Sequence, residues 1–220
     1  MLTDYVLGSA AAVFAIRLFA LTNTNRSIAL RLWAALFVAT SAASFLGGTY
    51  HGFTEELSAT ALTLLWYFTT LAVGIASFCF LTATIVQHAP ARLRSILLLA
   101  ASLKLAFYAV WMMSHDSFLF VIAEYGISLL IVLTVKVAAQ IRGRDPSAKW
   151  IIAAIAVAMI AAGIQGSRIR LHQHFNHNDL YHLIQVVSLY LFYRGARLVG
   201  DGPETRTSVQ NSKLGIKNEE

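Results

Sequence analysis

The chain has 220 residues, 57% of them hydrophobic and only 13% charged, with a formal net charge of +6. A soluble domain carries about 25% charged residues, so the deficit, concentrated in long apolar runs, excludes an ordinary water-soluble core and points to helices in lipid. The basic residues flank those runs and form no aromatic-interleaved stripe, which excludes a nucleic-acid partner; the single cysteine, Cys79, excludes an intrachain disulfide and a cysteine-rich zinc site.

A membrane span takes about 20 predominantly apolar residues. The start, Met1-Leu2-Thr3-Asp4, lacks the positive stretch of a secretory signal, so the first run, 4–22, is expected to stay in place as a span. Runs at 29–50, 59–86, 93–113, 118–140, 148–167 and 179–198 follow, the third long enough to tilt. They are continuous and do not alternate as barrel strands do, and in lipid every backbone group must be satisfied within its own segment, so they are helices. Between them lie the breakers Asn23-Thr24-Asn25, Pro90, Ser114-His115-Asp116-Ser117 and Gly143-Arg144-Asp145-Pro146. The expected fold is all-α: an integral bundle of seven transmembrane helices over 1–199, in contact with membrane lipids. A polar, disordered tail is expected over 200–220.

Lysine and arginine set the orientation. Arg17, Arg26, Arg31, Arg92, Arg94, Lys136, Arg142, Arg144, Lys149, Arg194 and Arg197 fall on one side if the spans alternate. Asp4, Glu55, Glu56 and Asp116 fall on the other, with Arg168 and Arg170 as basic exceptions. The bias predicts an inner (cell) membrane protein with its N-terminus outside and its C-terminus in the cytoplasm.

On that threading, His51, His115, His172, His174, His177 and His182 gather on the outer side, and only His88 is inner. Imidazole beside carboxylate suits zinc or iron. With the last helix starting near Asn178 or Asp179, Asp179 and His182 are three apart and share a face, Asn176 or Asn178 is the N-cap, and His177 can turn inward. His51 ends the second span after Gly47-Gly48, whose missing side chains let a neighbour approach. A metal site made from His51, His177, His182 and Asp179 is therefore expected on geometry. Asp179, Glu124 and Lys104 are the expected catalytic residues, Asp179 as a base or ligand-orienting group. Lys104 in the fourth span and Glu124 in the fifth must face the bundle interior, because a charge at mid-membrane costs about 2.5–3.5 kcal/mol. They read equally as a pair holding two helices in register. Gln165, Arg168 and Arg170 are expected to contact substrate or lipid phosphate. The seventh span holds no lysine, which excludes a retinal Schiff base.

The segments Phe175-Asn176-His177-Asn178-Asp179-Leu180-Tyr181-His182, Tyr193-Arg194-Gly195 and Gly48-Thr49-Tyr50-His51-Gly52-Phe53 resemble an uncharacterised family of bacterial seven-span membrane proteins. More distantly, His51 with His177 and His182 resembles the zinc-binding histidines of the alkaline ceramidase and adiponectin receptor superfamily, which implies zinc-assisted hydrolysis. Gly47 stands where that superfamily has a serine, and 59–86 lacks its aspartate. The expectation is thus a metal-dependent hydrolase of a lipid-like amide or ester. The alternatives are a small-molecule or pH-responsive receptor, and a small-solute transporter built on Lys104 and Glu124.

Overall fold

The computed structural model describes residues 2–143, 145–167 and 176–200. Among them lie seven helices and no strand: α1 Leu2–Thr22, α2 Ile28–Gly52, α3 Ala59–His88, α4 Ala91–Met112, α5 Phe118–Ile141, α6 Ala148–Ser167 and α7 His177–Ala196. The breakers act as their chemistry requires. Ser27, Ser58 and Ser117 cap α2, α3 and α5 by accepting from the backbone N–H groups of Leu30, Ala61 and Leu119. Pro90 separates α3 from α4, and Gly143, at φ 61°, supplies the left-handed residue that stops α5. Asn176 caps α7 in a capping box: its side chain accepts from Asp179 N–H while the Asp179 carboxylate accepts from Asn176 N–H.

By length and composition, α1 to α6 are long and apolar enough to cross a membrane. The seventh run does form a helix, but His177, Asn178, Asp179, His182 and Gln185 make its first half much more polar. Six such helices make this a multi-pass membrane protein.

Successive helices pack on one another, with one break: α4 and α5 make little mutual contact, and both lean on α3. The α1–α7 contact closes the bundle. One rim carries the starts of α1, α3, α5 and α7; it is knit by Tyr5 Oη to Thr49 Oγ1 at 3.0 Å and Trp66 Nε1–H to the Asp116 carbonyl at 3.0 Å. The half toward the opposite rim is the dry core. Trp33, Phe37 and Phe80 are fully buried there, with Trp33 and Phe192 each 5.4 Å from Phe80 in edge-on contacts. Two glycines allow close approach. A Cβ on Gly48 would lie 2.8 Å from Asp4 Cβ, so α1 nests on α2 as the paired glycines predicted. A Cβ on Gly74 would lie 2.5 Å from the Tyr108 ring, so α4 meets α3 through that notch.

Candidate functional site

Polar side chains collect in three places along the bundle. At the N-terminal rim, α1 is clasped to α7: Thr3 Oγ1–H donates to Asp179 Oδ1 at 2.9 Å and lies 3.2 Å from His182 Nδ1. His182 Nε2 lies 3.3 Å from Asp4 Oδ1. Both ring nitrogens of His182 are therefore engaged by side chains, and both Asp179 oxygens serve Thr3 and the helix cap. His51 is exposed at the end of α2, its ring against Tyr50, and His177 Nδ1 is buried without a hydrogen-bond partner among the described residues.

Asp179 and His182 meet at Thr3, on the shared face that their spacing predicted. Among the described residues no group of three or more His, Cys, Asp and Glu side chains is placed to hold a metal ion. Asp4, which the sequence offered only as an orientation marker, is the carboxylate that faces His182 Nε2. Gln165 Nε2 donates to Asn178 Oδ1 at 3.2 Å and so ties α6 to α7. Arg168 and Arg170 lie outside the described residues, as do His172 and His174.

Halfway down the bundle, Lys104 on α4 donates to Glu124 Oε1 on α5, and also reaches Ser128 Oγ at 2.9 Å and Ser77 Oγ on α3 at 3.4 Å. Ser77 in turn faces Glu124 Oε1 at 3.1 Å and Ser128 Oγ at 2.9 Å. Ser77 and Ser128 are wholly buried, and Glu124 Oε2 is buried with no hydrogen-bond partner among the described residues. A charge in this setting survives only if paired. One turn nearer the N-terminal rim, Tyr108 Oη–H donates to the Thr70 carbonyl at 3.0 Å.

The third cluster lies at the opposite rim and was missed from sequence. Lys136 is fully buried, its ammonium 2.7 Å from Asp145 Oδ2, 2.8 Å from Gln87 Oε1, 3.2 Å from Ser147 Oγ and 3.2 Å from His88 Nε2. Asp145 Oδ1 accepts from Ser147 N–H at 2.8 Å and Ser147 Oγ–H at 2.6 Å, while His88 Nε2 stands 3.1 Å from Oδ2. Burial alone would raise the Asp145 pKa. The His88 hydrogen bond, the Lys136 charge and the Ser147 hydroxyl outweigh it and hold the carboxyl well below the usual carboxylate range.

A cavity of about 1410 Å³ joins the second and third clusters. Leu81 and Ile85 of α3, Leu97 and Ala101 of α4, and Ile131 and Val135 of α5 form its apolar walls. Lys104 closes its deep end; His88, Arg142, Lys149 and Arg194 stand at its mouth. Lys104 is 13 residues into α4, so the cavity runs about 20 Å into the bundle. It exists because α4 and α5 diverge from a shared support on α3.

Residues 1–201 match the model of a family described as a family of unknown function, DUF6962. No curated protein and no solved structure matches the chain. Kinship with an uncharacterised family is thereby met, whereas the likeness to the alkaline ceramidase and adiponectin receptor superfamily gains no support.

Proposed function

The chain belongs to the DUF6962 family, whose function is unknown, and from its own geometry we propose that it is a membrane carrier that admits a small solute or an amphiphile to the cavity ending at Lys104, beside its partner Glu124. The observation that supports this reading is a cavity that reaches from one rim to Lys104 at mid-bundle, where that lysine pairs with Glu124 in the only Lys–Glu pair among the described residues. Ionisable side chains inside a membrane commonly mark substrate or ion paths. A pair that only set helix register would be as effective without 1410 Å³ of space leading to it. Charge bias supports the cavity mouth as cytoplasmic, with α7 as a seventh span and the N-terminus outside.

Hydrolysis fits less well. A zinc hydrolase needs three protein ligands and an open position, and the described histidines offer no such set. Metal analysis decides this point: stoichiometric zinc in purified protein, lost on His182→Ala, would restore the hydrolase reading.

The carrier reading is tested by uptake of labelled organic anions and amphiphiles into proteoliposomes. Flux by the wild type that falls at least about tenfold in Glu124→Gln, with the melting temperature retained, supports it, that factor being about 1.4 kcal/mol at the site. Ligand-dependent thermal stabilisation with no flux of any solute favours a receptor instead.

A further inference from the structure

We infer that the cavity holds an anionic lipid drawn from the bilayer, its acyl chains along the α4–α5 crevice and its phosphate headgroup at the mouth. This deepens the carrier reading, on which it rests, by naming the cargo. Size comes first: pockets for drug-sized ligands run to about 1,000 Å³, and this one is about 1410 Å³ with walls of leucine, isoleucine, valine and alanine.

Access comes second. Because α4 is held by α3 and scarcely touches α5, the crevice is open along its side. Leu97 and Ala100 of α4 and Ile131 of α5 line the cavity and are themselves exposed on the bundle surface, so a chain can slide in from the lipid without crossing a polar barrier.

Charge comes third and sets the direction. The deep end is neutral in sum, since Lys104 is already matched by Glu124. The mouth is not: Arg142, Lys149 and Arg194 line it, and among the described residues none of the three forms an ion pair. The one acidic residue in the lining is Asp145, whose oxygens are taken by Lys136 and Ser147. Arg194 donates to Tyr190 Oη at 3.1 Å and lies 4.4 Å over the Trp150 ring, which fixes its guanidinium at the mouth. Guanidinium and ammonium groups so placed match a phosphate, and the anionic end of an amphiphile belongs there.

The test is native mass spectrometry of the full chain in detergent with phosphatidic acid, phosphatidylcholine of identical chains and oleic acid at equal concentrations. Wild-type protein should retain phosphatidic acid above the other two. The Arg142→Gln/Lys149→Gln variant, changed at exposed positions that leave the core intact, should lose that preference by about fivefold per cation. Val135→Trp, filling the crevice, should lower retention of both phospholipids. Equal retention of the two phospholipids by wild type overturns the inference. So does retention unchanged in Val135→Trp, which would mean boundary lipid only, or displacement of both by oleic acid, which would mean a free fatty acid. Lipid preference without lipid flux in proteoliposomes upholds the site and defeats the carrier reading alone; flux of another solute without lipid preference does the reverse.

Discussion

Lys136 and Asp145 carry the sharpest residue-level consequence. A lysine with no exposed surface depends on its counter-ion, so Asp145→Asn should destabilise the protein by about 3–5 kcal/mol, read as a lower melting temperature in detergent. The sign with pH follows from the lowered Asp145 pKa. Its contribution is complete above the ordinary carboxylate value of about 3.9 and is lost as pH falls further, through the lower value of the folded state. The gap between wild type and Asp145→Asn should therefore be widest near neutral pH and narrow below about pH 4. A gap that is constant with pH would contradict the pairing. Gly74→Ala offers a second check, since its new methyl would sit 2.5 Å from a ring whose hydroxyl is fixed on Thr70. Overpacking of that kind costs about 1–3 kcal/mol, and Tyr108→Ala should relieve part of it in the double variant. Legibility at this scale follows physics. Lys104 and Glu124 were readable because isolated charges in apolar runs must face inward. Lys136 was not, because a lysine near the end of a span can snorkel equally well. Nor was Asp4, whose partner His182 is remote in sequence and brought near only by closure of α1 on α7.

Helix limits were read closely, and the residues that fixed them are those whose side chains replace missing backbone partners. Asn176 is the clearest case. Asn176→Ala should cost about 1 kcal/mol by leaving the Asn178 and Asp179 N–H groups uncapped, and it should loosen the Thr3–Asp179 bond that depends on the start of α7. Faster amide exchange confined to the first turns of α7 would confirm it, and unchanged exchange would contradict it. What the pattern of apolar runs could not convey is which helices touch. Chain order made α4 and α5 natural neighbours, and the Lys104–Glu124 contact does join them. Yet both pack chiefly on α3, and the gap they leave is the cavity. Periodicity gives each helix a face but not the identity of what lies against it. Spacing likewise placed Asp179 and His182 together and could not reveal that Thr3 and Asp4 of α1 join them.

At the scale of the molecule, composition and span length were enough to read a helical membrane bundle. The carrier role proposed for the bundle rests instead on volumes and contacts. The dry aromatic core around Trp33, Phe80 and Phe192 stabilises one half, while the crevice beside it is held open by the divergence of two helices. The cavity mouth lies on the rim rich in arginine and lysine, which the proposed orientation puts on the cytoplasmic side. A cysteine placed at Lys149 in a Cys79→Ser background should accordingly react with a membrane-impermeant thiol reagent only when the cytoplasmic face is exposed. Reaction in intact cells would reverse the orientation.

Whether Lys104 and Glu124 handle cargo or merely pin α4 to α5 is decided by exchanging them. In Lys104→Glu/Glu124→Lys the pair, its depth and its serine neighbours persist, so the fold should melt near the wild-type temperature. A path that depends on a cation presented from α4 should nonetheless lose flux in proteoliposomes to the level of Glu124→Gln. Wild-type flux in the exchanged protein would contradict the account and leave the pair as a fastening between two helices.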